Sequence, residues 1–214
     1  MLLVVLALAG CGESDEPELT AAEVIDRTVE ATAAEDSFRF RLEVENPPRG
    51  LSGLNLTFAE GEVAVPDRLH ADVAGTFSGI PLESELVAIG RDEWLENPFG
   101  GGFRKIDIGV SPLDFFDPDT GVLAVLRNAR DVKLAEDGDE YVVTGDVAAD
   151  GVEDFLGVDA DSRSLDVEVE IGKDDFLLHG LKVIGPANDS EPADVRRVLE
   201  LSDYGADVDI VPPM

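Results

Sequence analysis

Cysteine is almost missing from this sequence: Cys11 is the only one in 214 residues. A single thiol excludes an internal disulfide, and with it Cys-based zinc fingers and CxxC redox pairs. Histidine is nearly as scarce. His70 and His179 are far apart, fall in predicted strands and show no HExxH or other zinc spacing, so surface or edge positions are expected and no metal site. Aromatics reach only 6%, which leaves Val, Leu, Ala and Ile to build the interior. Basic residues number 16 against 47 acidic ones, a net charge of −31. Such a surface repels nucleic acid and anionic lipid headgroups alike. The acidity is spread over nearly every segment, which reads as adaptation to a salty habitat ahead of a binding property.

What is present begins at the N-terminus. Residues 2–10 form an apolar run, about half the roughly 20 residues a membrane span needs. It halts at Cys11 and gives way at once to Gly12-Glu13-Ser14-Asp15-Glu16-Pro17-Glu18. That switch reads as a signal-peptide core over residues 1–10, followed by a short acidic tether over 11–19. No Lys or Arg precedes the run, so a start upstream of Met1 is expected. The residues from Gly12 to Leu19 reach at most about 26 Å, which keeps the globule close to its anchor.

One domain is expected over 20–214. Thr20 and Glu23 make a capping box for a helix over 21–35 with Val24, Ile25, Thr28, Val29 and Thr32 on one stripe. At Ser37 the period falls to two: Phe38, Phe40, Leu42 and Val44 alternate with charged residues up to Asn46-Pro47-Pro48. A long strand follows, with a bulge or bend expected near Glu60-Gly61, then strands at 69–77 and 80–89 and a short one at Trp94-Leu95. Gly100-Gly101-Gly102 lies in a loop with Phe99 and Phe103. Two short helices are expected between Ser111 and Ala129, and a third over 149–157. Strands at 130–136 and 140–148 meet at the hairpin dipeptide Asp137-Gly138. Further strands are expected at 165–171, 176–185 and 194–204, with an extension at 207–211.

The sum is an α+β fold: a large curved antiparallel sheet, a half-barrel, with helices packed on its concave face. About ten strands, each with about three inward apolar residues, exceed what the short helices can cover. An uncovered face either closes on itself or encloses an apolar ligand, and the alternation leaves both open. The residues it nominates for such a lining are Leu69, Ala71, Val73, Phe77, Leu86, Leu123 and Leu126.

Several landmarks resemble one family. Leu8-Ala9-Gly10-Cys11 resembles the lipobox of bacterial lipoproteins. Leu19-Thr20-Ala21-Ala22-Glu23, Val65-Pro66-Asp67-Arg68-Leu69, Phe116-Asp117-Pro118-Asp119-Thr120-Gly121 and Leu199-Glu200-Leu201-Ser202-Asp203-Tyr204-Gly205 together resemble the LppX/LprG lipoproteins of actinobacteria. The resemblance implies acylation of Cys11 and anchoring on the extracytoplasmic face of the cell membrane. It also implies a fold related to the LolA/LolB carriers, whose hydrophobic cavity takes acylated lipids or lipoglycans and helps move them outward, with an envelope transporter as a possible partner. No reaction and no cofactor are implied.

Other chemistry finds little footing. Asp117-Pro118-Asp119-Thr120-Gly121 lacks the ligands of a calcium loop and is expected to cap a helix. The glycine triplet has no phosphate-loop spacing, and no GxSxG occurs. An enzyme is not expected. The competing reading is a tethered structural or sensor domain that binds another envelope protein through a closed core.

Overall fold

The computed structural model describes residues 19–47, 54–77, 79–106 and 111–214, and the side chains of Leu54 and Phe77 are not among what it describes. The expected signal segment, Cys11 and the expected tether before Leu19 lie outside the described residues.

Helix α1, Ala21–Ala33, starts where its capping box sits: the Thr20 hydroxyl accepts from the Glu23 N–H, and the Glu23 carboxylate accepts from the Thr20 N–H at 2.8 Å. The Thr20 N–H, and after it the Thr20 hydroxyl, donate to the Glu23 carboxylate and hold it below the usual carboxylate range. Val24, Ile25, Thr28 and Thr32 form its buried stripe. The two buried hydroxyls are satisfied: Thr28 donates to the Val24 carbonyl, and Thr32 accepts from the Leu178 N–H at 3.1 Å. The helix ends at Ala33, two residues short of the expected stop.

Eleven strands follow, each antiparallel to its neighbours. The first meander comprises β1 Ser37–Glu45, β2 Leu54–Ala64, β3 Arg68–Phe77, β4 Ile80–Ile89, β5 Asp92–Glu96 and β6 Phe103–Ile106. The second comprises β7 Arg130–Asp137, β8 Glu140–Ala148, β9 Ser164–Gly172, β10 Leu178–Ile184 and β11 Arg196–Ser202. They join into one open sheet of order β6-β5-β4-β3-β2-β1-β11-β10-β9-β8-β7. The seam is the β1–β11 ladder, from Arg39 opposite Ser202 to Glu45 opposite Arg196.

Strands consecutive in the chain, β6 and β7, therefore lie on opposite edges. The segment between them carries a 3-10 turn at Asp114–Phe116 and helix α2, Val122–Arg127. Val122 to Leu126 are all buried, as expected for a helix apolar on every side. It packs against α1 and joins the same core as the sheet. A 3-10 turn at Ala149–Gly151 and helix α3, Glu153–Leu156, complete the cover, where one helix over 149–157 was expected.

The structure changes three expected features. The ladder is regular through Glu60 and Gly61, and the register shift falls between Leu56 and Phe58. Gly61 answers to crowding instead: it pairs with Phe40 and Ala71, and a Cβ there would lie 2.1 Å from the His70 carbonyl oxygen. Asp117 does not cap α2, whose N-cap Gly121 makes no side-chain bond; its carboxylate accepts from the N–H groups of Asp119 and Thr120 and shapes the preceding turn. The extension expected at 207–211 is not a strand. That tail instead crosses the strand ends, where Ser37 donates to the Ala206 carbonyl and Arg68 to that of Ile210, each at 2.6 Å.

Candidate functional site

Alternation sorts the strands into a charged outer face and a mainly apolar inner one, with Ser84, Glu93 and Arg197 as buried polar residues on the inner side. Outside, pairs such as Arg41–Glu60 at 2.8 Å and Lys182–Glu168 at 2.7 Å are solvent-exposed and contribute little to stability. Both histidines lie on this face, His70 3.7 Å from Glu85 and His179 3.0 Å from Glu140. Among the described residues no cluster suited to a metal ion forms.

Inside, the two meanders differ. Leu165, Val167, Val169 and Ile171 of β9 are at most 3% exposed, and so are Val143, Leu181, Val183, Leu199 and Leu201 around them. Helices α1, α2 and α3 share one buried cluster with these residues and with the closed end of the first meander. Across β1 to β5 burial fades along the strands. At the end where β1 enters the sheet, Phe38, Phe40, Val63, Leu69, Ala71 and Ala88 are closed off. Toward the other end, where the β3–β4 hairpin turns, Leu42, Val44, Leu82, Leu86 and Leu95 are half-buried, Leu56 is 36% exposed and Ile80 62%.

The register shows that these belong together. Leu86 faces Ala71 on one side and Leu95 on the other, Leu82 faces Gly75, and Gly75 faces Leu56. Together they make an apolar trough along β1 to β5. Its closed end is an aromatic block: Phe116 lies 5.3 Å from Phe38 and 4.8 Å from Phe40, and Phe115 stacks on Phe155 at 5.1 Å. Tyr204 adjoins Phe38 and donates its hydroxyl to the Leu178 carbonyl. Loss of hydration pushes its phenol upward.

Of the nominated residues, Leu69, Ala71, Leu123 and Leu126 are at most 3% exposed and Val73 8%; they form the floor and cover of the closed end. Leu86 is half-buried and faces the trough. The side chain of Phe77 lies outside the description. The alternation pass overlooked Leu42, Val44, Leu56, Leu82 and Leu95. Leu82 shares parity with Leu86, so the signal for it was present. Phe99, in the glycine loop, is 89% exposed, whereas Phe103 is half-buried.

An open half-barrel filled by its own helices on one side only is a fold shared with lipoproteins of known structure. The chain belongs to the LppX_LprAFG lipoprotein family, whose profile matches residues 20–210. LprF of Mycobacterium bovis superposes with a TM-score of 0.70 at 18% identity, covering 90% of this chain and 96% of that one. LppX of Mycobacterium tuberculosis superposes at 0.60 with 16% identity, covering 89% and 98%. At such identities these likenesses establish the fold alone. A LolA superfamily protein of Nitrosomonas europaea aligns with 12% identity over 90% and 96% of the two chains, but at a TM-score of 0.29 it carries no argument. No curated protein matches the chain.

Proposed function

We propose that this protein is a membrane-anchored lipoprotein, attached through an acylated Cys11 on the extracytoplasmic face, that takes acylated lipids or lipoglycans into its trough and carries them across the cell envelope. The observation that carries the reading is the unequal filling of one continuous apolar face. The row from Leu42 and Val44 to Leu82, Leu86 and Leu95 keeps accessible apolar surface while the β9–β11 row keeps almost none. Contiguous apolar surface of this kind on a soluble domain marks a ligand or partner site. A concave trough suits flexible acyl chains better than a flat protein partner.

Native mass spectrometry of the full chain, extracted gently, tests the reading. Reproducible lipid-sized adducts are expected; a protein free of lipid that takes none up from added diacylglycerol would overturn it. The anchor is tested separately. Replacing Cys11 with Ala should abolish incorporation of labelled fatty acid and release the protein from membranes, and unchanged labelling would count against attachment there.

A further inference from the structure

Arg197 is the one charged residue among the inward positions of β9, β10, β11 and β1. Its strand alternates Leu201, Leu199, Arg197 on the inner side, while its neighbour Arg196 faces out toward Glu45. By register it lies opposite Val44 of β1 and Val183 of β10. Val183 is fully buried and Val44 is half-buried, so Arg197 stands at the border where the filled face gives way to the trough. It is itself only 4% exposed.

The β10–β11 connection supplies its partner. Nη2 of Arg197 donates to Glu191 at 2.5 Å, and the other carboxylate oxygen of Glu191 accepts from the Ala187 N–H at 2.7 Å. Glu191 is thereby engaged on both oxygens. Nη1 of Arg197 is buried and, among the described residues, meets no hydrogen-bond acceptor. In every other arginine or lysine ion pair among the described residues both side chains are at least 24% exposed. Stability does not call for this arrangement: a buried ion pair is commonly replaced by well-packed apolar residues at no loss, and an unmade buried donor is costly. Guanidinium, with its planar fork of donors, is the side chain suited to an oxyanion.

We propose that Arg197 is the headgroup site of the trough, binding a phosphate-type anionic headgroup while the acyl chains run from Val44 and Leu42 toward Leu86. The acceptor enters past Val44 and completes the donor set that Glu191 leaves open. The acidic surface repels anionic headgroups from outside, but Arg197 lies on the opposite, inner face of the sheet, and physiological salt screens that field over about 8 Å. The protein therefore selects acidic over neutral lipids of the same chain length. This rests on the lipid-binding reading above and adds a preference to it.

The test offers the full chain a mixture of dioleoylphosphatidylglycerol and dioleoylglycerol and counts bound lipid by native mass spectrometry. The natural protein should favour the phosphate-bearing lipid roughly tenfold, the worth of one charge-assisted bond. Arg197→Met alone strands a buried carboxylate, so the decisive variant is the pair R197M with E191M, in which both charges leave together. It should bind both lipids equally while still taking up dioleoylglycerol. A preference that survives in the pair variant, or no preference in the natural protein, would overturn the assignment. So would displacement of phosphatidylglycerol by excess inorganic phosphate, which would mark a free-anion site. Loss of binding to both lipids by the natural protein would instead defeat the lipid-binding reading itself.

Discussion

β9 and β4 are both alternating strands with apolar residues turned to the same face of one sheet, yet their fates differ. Leu165, Val167, Val169 and Ile171 are buried, whereas Leu82 and Leu86 stay half-buried and Ile80 lies open. The difference follows the cover. The longest helix, α1, packs against α2 and, in the sheet, against β7 and β10 of the second meander. What the first meander receives is the aromatic block of Phe115 and Phe116, which closes one end of β1 and stops. One half of the sheet is therefore core, and the other half keeps accessible apolar surface.

Stability separates the halves most strongly. Ile171→Ala and Leu199→Ala remove side chains with no exposed surface and should each cost about 3 kcal/mol in urea unfolding, while Leu82→Ala and Leu56→Ala should cost about 1 kcal/mol or less. Equal losses in both halves would break the comparison. Bulk separates them next. Leu95→Trp should cut lipid uptake at least about tenfold with unfolding changed by under about 1 kcal/mol, because the added ring occupies open trough. Leu181→Trp, in the filled half, should instead destabilise by about 1–3 kcal/mol through overpacking.

The smallest effect is on pH dependence. Burial raises the folded-state pKa of Tyr204 above the ordinary tyrosine value near 10. Its contribution is thus present below that value and lost as pH rises beyond it, since the unfolded chain releases the proton first. Melting temperature should fall more steeply above about pH 10 in the natural protein than in Tyr204→Phe, and identical slopes would contradict the assignment.

Much of this was readable in the sequence where local chemistry decides. Thr20 and Glu23 mark the start of α1, Asp137-Gly138 turns β7 into β8 with Gly138 at φ 56°, and the alternation of β9 matches its burial residue for residue. The bend expected at Gly61 was misplaced because a glycine in a strand signals a bulge and a close backbone approach alike, and only the neighbouring strand distinguishes them. The apolar inner face was legible in the sequence, but not which part of it stays open. Leu69, Ala71, Leu123 and Leu126 looked equivalent to Leu82 and Leu95 by pattern; which of them stays open depends on the path of residues 111–129 across the sheet, a tertiary fact. Arg197 was hidden for the same reason, since one of two adjacent arginines must face inward and register alone assigns which.

The most direct measurement is photocrosslinking with a diacyl lipid carrying a diazirine along its chain, followed by peptide mapping of the loaded protein. Adducts are expected on β2, β4 and β5, at Leu56, Leu82, Leu86 and Leu95. Adducts confined to β8, β9 and β10, or none above a lipid-free background, would contradict the division of the sheet into a filled half and a receiving half.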